Sequence, residues 1–139
     1  MRLDAVVFLE VEDVRRAHTL ALARHGGLDG LRDAGALKAA VMAPRATFGG
    51  ESLYPSLALT AAAYAFGIAR AHAFIDGNKR AALAAAGLFL GLNGYPELRL
   101  GPEWVEIMLR AASEAGFSRD TLAVHFSALM GDPGNFETD

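Results

Sequence analysis

Two alanine-rich apolar runs, Leu57 to Ala69 and Ala81 to Leu92, flank a short polar stretch centred on Asp76-Gly77-Asn78. This arrangement constrains the fold more than any other feature of the chain. Each run is rich in good helix formers and poor in β-branched residues. Each is too short to span a bilayer and reads as a helix buried on most sides. Two such helices joined by a loop of about five residues pack antiparallel, with the loop at one end of the bundle. His72 then ends the incoming helix and Asn78 to Arg80 begin the outgoing one. A proton acceptor and a set of phosphate-binding groups are therefore expected side by side.

The other elements follow from periodicity and punctuation. Ala5 to Leu9 is a short extended lead-in, and a helix is expected over Val11 to Arg24 with the stripe Val11, Val14, Ala17, Ala21 and Leu22 inward. His18 lies on that stripe and reads as a packing residue. Gly26, Gly27 and Gly30 mark a turn that matches neither the Walker pattern nor the dinucleotide fingerprint. Asp33 caps a short helix, Ala34 to Met42, which Pro44 closes. Residues 46–55 are expected to be irregular, as a flap or a plain connection. A helix then runs from Ser56 to Ala71. The next is expected over Asn78 to Leu92, capped by Asn78 and stopped by Asn93-Gly94. Pro102 opens a fifth helix ending near Gly116, and Ser118 caps a sixth to Met130, with Leu122, Phe126 and Leu129 inward and His125 packing beside them. The sum is an all-α, single-domain bundle of about six helices over residues 1–131, with a flexible tail at 132–139.

Composition narrows the function. The chain has 139 residues, 53% of them hydrophobic, which favours a compact fold over disorder. A net charge of −3 leaves no global basic footprint for nucleic acid. Arg70, Lys79 and Arg80 instead gather near the polar loop, as suits a small anionic ligand. The absence of cysteine removes disulfides, thiolate metal sites and cysteine nucleophiles, and is compatible with a cytoplasmic location. Nothing at the N-terminus has the form of a secretory leader.

The chemistry concentrates in His72-Ala73-Phe74-Ile75-Asp76-Gly77-Asn78-Lys79-Arg80. Gly77 permits a tight turn, and the helix start offers backbone N–H groups and a positive dipole end to a phosphate. Lys79 and Arg80 sit where that dipole disfavours cations, which a bound polyanion would offset. His72 titrates near neutral pH and can act as general base, or simply close its helix. Asp76 can hold a divalent cation whose shell nucleotide phosphates complete, or serve the turn. Asn78 can donate to a phosphoryl oxygen, Arg80 offers a fork to phosphate and Lys79 a point charge. Phe74 reads as the anchor of the loop.

This string resembles the motif of the Fic/Doc superfamily, His-x-Phe-x-Asp/Glu-Gly-Asn-Gly/Lys-Arg, with every constrained position filled. Gly26-Gly27-Leu28-Asp29-Gly30, Arg32-Asp33, Phe48-Gly49-Gly50 with Tyr54-Pro55, and Leu88-Phe89-Leu90 with Asn93-Gly94 also resemble Doc-branch landmarks in order. AMP-transferring members carry glycine where Lys79 stands and a second arginine where Leu83 stands. The resemblance to the Doc (death-on-curing) branch implies a reversed nucleotide that presents the γ-phosphate. The implied activity is an ATP-dependent, Mg2+-requiring protein kinase acting on a hydroxyl of a protein target, by resemblance elongation factor Tu. It also implies a cognate antitoxin, since no segment here supplies an inhibitory helix. Thr47 to Glu51 has only the first part of that motif. An AMP or other nucleotide transferase and a non-catalytic binding module are the competing readings; the first is disfavoured by Leu83 and the second by the intact motif. A metal hydrolase would need more ligands than His72 and Asp76 provide.

Overall fold

The computed structural model describes residues 5–98, 100–113 and 118–131. Six helices carry the fold: α1 (Val11–His25), α2 (Ala34–Met42), α3 (Leu57–Ala71), α4 (Asn78–Leu92), α5 (Glu103–Ser113) and α6 (Arg119–Met130). The mostly α architecture expected from the sequence is the one observed. The expected end of the fifth helix and the tail at 132–139 lie outside the described residues.

The central helix is α3, packed against α4 and α6 most extensively and against α2 and α5 as well. It is buried on nearly every side, which explains an apolar run without a polar face. Its alanines Ala61, Ala62, Ala65 and Ala69, and Ala81, Ala82, Ala85 and Ala86 of α4, are all buried. Small side chains let α3 and α4 approach closely, so the alanine content serves helix packing. Larger residues fill the ends. Tyr64 tilts against Phe89 at 5.2 Å, and Trp104 of α5 stacks on Phe126 of α6 at 4.7 Å, with His125 edge-on to Trp104.

Two expected caps form, at Asp33 and Ser118, and the structure adds a third at Ser56. Asp33, Ser56 and Ser118 accept hydrogen bonds from Ala36, Leu59 and Thr121 backbone N–H groups. Asn93 does more than stop α4. Its amide exchanges two hydrogen bonds with the Val7 backbone, at 2.8 and 2.9 Å, and donates to Phe89 O at 2.8 Å. The extended lead-in is thereby tied to the end of α4.

Helix α2 ends at Met42 as expected, and Pro44 follows it within a 3-10 turn over Ala43–Arg45. One local expectation needs correction, because the connection over residues 46–55 is not irregular throughout. Strands β1 (Thr47–Phe48) and β2 (Glu51–Ser52) pair antiparallel, Thr47 with Ser52 and Phe48 with Glu51. Gly49 and Gly50, with φ of 61° and 84°, supply the two positive-φ positions that a tight two-residue hairpin turn requires. The partial inhibitory-type spacing from Thr47 to Glu51 therefore lies in a hairpin and not in a helix.

Candidate active site

The α3–α4 junction begins with an unusual backbone. His72 adopts φ 48°, ψ 41° and is the one non-glycine residue with positive φ among those described. Helices often end with a left-handed residue, but glycine usually takes that place because a Cβ there is strained. Here the strained position carries an exposed imidazole that makes no hydrogen bond among the described residues. Its main chain is held instead. Arg32 Nη2 donates to His72 O at 2.6 Å, and the Arg32 and Asp33 backbone N–H groups both donate to Ala73 O, at 2.7 and 3.0 Å.

These contacts belong to a longer strap. The glycine-rich connection after α1 runs antiparallel to the junction, with Leu31 bridged to Phe74 and Ile75 N donating to Gly30 O at 3.0 Å. It is more than the isolated turn that the sequence indicated. A Cβ on Gly30 would collide with Ile75 Cδ1. One on Gly27, where φ is 123°, would lie 2.9 Å from Leu22 Cδ2 and 3.0 Å from Asp76 Oδ2.

Asp76 is organised by backbone donors. Leu28 N donates to Oδ2 at 3.1 Å and Gly77 N to Oδ1 at 2.9 Å. These two bonds, Leu28 first, hold its carboxyl below the ordinary carboxylate range. The group is exposed and ionised, and each oxygen keeps lone-pair capacity. Among the described residues no three potential metal ligands cluster. Asp76 therefore fits a hard cation whose remaining ligands come from phosphate and water, as Mg2+ sites commonly are, and not a closed protein cage.

Asn78 differs from expectation. It does not cap α4; Gly77 stands at the N-cap with φ 75°, and no side chain accepts from the first turn. The Asn78 amide turns back on the loop, its Oδ1 accepting from Phe74 N and its Nδ2 donating to Phe74 O, both at 3.0 Å. The first intrahelical bond is Ala81 N to Gly77 O at 2.9 Å. The N–H groups of Asn78, Lys79 and Arg80 precede it and have no helical acceptor. Lys79 and Arg80 are half-buried and make no ion pair or hydrogen bond among the described residues. The start of α4 thus carries two uncompensated cations and three unused donors. Arg70 does not join them: its Nε donates to Ala111 O at 3.1 Å and its guanidinium lies over the Phe66 ring.

Phe74 is buried and stacks flat on His18, with ring centroids 3.8 Å apart and planes 6° apart. His18 and Arg32 are the supporting residues that sequence reasoning did not assign to the site. Helical spacing placed His18 correctly on the inner face, but nothing in the sequence distinguishes an imidazole that fills space from one that also bonds the loop. Arg32 was visible only as a landmark. A small cavity of about 120 Å³ lies on the α1 side of the loop, lined by Arg15, His18, Thr19, Asp29, Gly30, Leu31 and Phe74. His72, Asp76, Lys79 and Arg80 are not part of its wall.

An exposed imidazole therefore lies next to a helix start whose free N–H groups suit an anion. Comparison with known proteins shows the family. Residues 8–90 match the Fic/DOC family. The chain is 48% identical over 87 residues to a protein of Mycolicibacterium smegmatis named Toxin Doc, covering 63% of this chain and 65% of that relative. It is 34% identical over 102 residues to Protein kinase doc of Escherichia phage P1, covering 73% of this chain and 79% of the phage protein. The chain thus spans just under two-thirds of the mycobacterial relative. The matched region contains the strap, the His72 junction and nearly all of α4, and on that evidence this chain belongs to the Fic/Doc family.

Proposed function

We propose that this chain is the toxin of a toxin–antitoxin pair and acts as a protein kinase, transferring the γ-phosphate of ATP to a hydroxyl of a protein target. The observation that carries the reading is the bare start of α4, where free N–H groups stand beside the His72 junction with Lys79 and Arg80, which have no partner among the described residues. That combination is unfavourable for the protein alone and is relieved by a bound polyphosphate. The name Protein kinase doc, borne by the phage relative, supports phosphotransfer, and the name Toxin Doc supports the toxin assignment.

In this reading Arg80 and Lys79 bind nucleotide phosphates together with the α4 N–H groups. Asn78 keeps the loop closed through Phe74. Asp76 would hold Mg2+, which neutralises phosphate charge when bound. The target hydroxyl attacks the γ-phosphorus, its proton passes to His72, and the bond to the β–γ bridging oxygen breaks to release ADP. The protein contributes position and charge more than covalent chemistry, as phosphoryl transfer requires. Leu83, where AMP-transferring relatives carry an arginine, is buried in the core and offers no charge to the nucleotide pose of AMP transfer. By family resemblance the target is elongation factor Tu, the location cytoplasmic, and the partner an antitoxin whose C-terminal segment folds on binding.

The test is incubation with elongation factor Tu, or a cell lysate, and ATP labelled at either the α or the γ position. Transfer of γ-label that is lost in His72→Ala is the expected result. Transfer of α-label would replace the kinase with an AMP transferase, and transfer of neither by folded protein would leave a binding module. Expression alone should arrest bacterial growth, and harmless accumulation of soluble wild-type protein would refute the toxin assignment.

A further inference from the structure

One side chain outside the motif touches both halves of the motif loop. His18, 2% exposed on the inner face of α1, stacks flat on Phe74 and places Nε2 2.7 Å from Asp76 O. A carbonyl oxygen only accepts, so Nε2 carries the proton of that bond. The Asp76 carbonyl and the Gly77 N–H belong to one peptide group. Its N–H side donates to Asp76 Oδ1, and its C=O side accepts from His18. That peptide lies between Asp76 and a glycine with φ 75°, a residue with little intrinsic preference for one orientation. A Cβ at Gly77 would stand 3.5 Å from His18 Nε2, so helix and turn are in close contact at this point.

We propose that His18 is a positioning residue of the active site: its Nε2–H fixes the Asp76–Gly77 peptide plane, and through it the Asp76 carboxylate and the first turn of α4. Stacking on Phe74 fixes the other end of the same loop. Packing alone does not require a donor aimed at a main-chain carbonyl, and a phenylalanine would fill the site as well. The kinetic part of this inference rests on the proposed phosphotransfer, whereas the geometric part does not.

The experiment compares His18→Phe, which keeps a ring against Phe74 and removes the donor, with His18→Gln, whose side-chain amide reaches the position of the imidazole Nε2. Amide hydrogen exchange at Gly77 and Leu28, the two donors to Asp76, is read by NMR in the full chain. The expected result is faster exchange at both sites in His18→Phe, by roughly fivefold for one lost hydrogen bond, and near-normal exchange in His18→Gln. Phosphotransfer kcat should fall about 10- to 100-fold in the Phe variant, with nucleotide KM changing less, and recover in the Gln variant. Unchanged Gly77 and Leu28 exchange in folded His18→Phe overturns the proposal. Should His18→Phe not fold, His18→Leu takes its place, and equal exchange in the Leu and Gln variants overturns the proposal likewise. Faster exchange at both sites in His18→Phe without any wild-type transfer would refute the kinase reading and leave the positioning role supported.

Discussion

Replacing the proposed catalytic base should make the protein more stable when the replacement is glycine and not when it is alanine. His72 holds φ 48°, ψ 41°, where an L-residue pays about 1–2 kcal/mol in steric strain. Alanine keeps the Cβ and therefore the strain. Glycine removes it, while widening the unfolded ensemble at a cost of about 0.5–1 kcal/mol relative to alanine. The difference leaves His72→Gly more stable than His72→Ala by about 0.5–1 kcal/mol. For a chain of this length that is a rise of about 2–4 °C in melting temperature. Because the His72 ring is exposed and makes no hydrogen bond among the described residues, both variants lose equally little else, and the comparison isolates the backbone. Urea denaturation followed by circular dichroism measures the difference, and γ-label transfer measures activity in the same preparations. Both variants should be inactive. Equal stability of the two would mean that His72 is not held in the left-handed region in solution, and the account of the Arg32 strap would fail with it. Persistent transfer by either variant would remove His72 from the role of base.

Three other perturbations probe separate parts of the molecule. Arg80→Ala should weaken nucleotide binding and transfer together, with stability unchanged or slightly raised because a cation leaves the positive end of α4; calorimetric titration with ATP and a melting curve check both halves. Asn93→Ala should cost about 2–3 kcal/mol, because three hydrogen bonds to Val7 and Phe89 are lost at a buried side chain, and should leave transfer intact in the folded fraction. Acid should act on Asp76 with a definite sign. Its folded-state carboxyl lies below the ordinary range, so its contribution is complete above the unfolded carboxylate value and is lost as pH falls through the folded one. Wild type should therefore exceed Asp76→Asn in stability at neutral pH, with the margin closing as pH falls through the folded value, and a margin that stays constant into acid would contradict this.

What the sequence discloses and what it hides divide along a physical line. Helices α3 and α4 are legible because their alanine-rich runs satisfy their own backbones and need only an apolar environment. The caps Asp33 and Ser118 are legible because a cap bonds an N–H three residues away. Asn78 misleads for the same reason: beside a helix start it reads as a cap, yet its amide bonds Phe74, four residues back across the turn. The hairpin at Thr47–Ser52 escapes because two residue pairs are too few to show alternation, and only Gly49-Gly50 betrays it. The strap and His18 escape for a deeper reason. Their partners lie 40 or more residues away in the chain, so Gly27 to Asp33 read alone has no visible counterpart. The motif thus names the candidate groups for the chemistry, while the residues that hold those groups in place are found only where the fold brings distant backbone together. A search for functional residues confined to the motif would have kept Asn78 as a phosphate ligand alone and passed over the imidazole beneath Phe74.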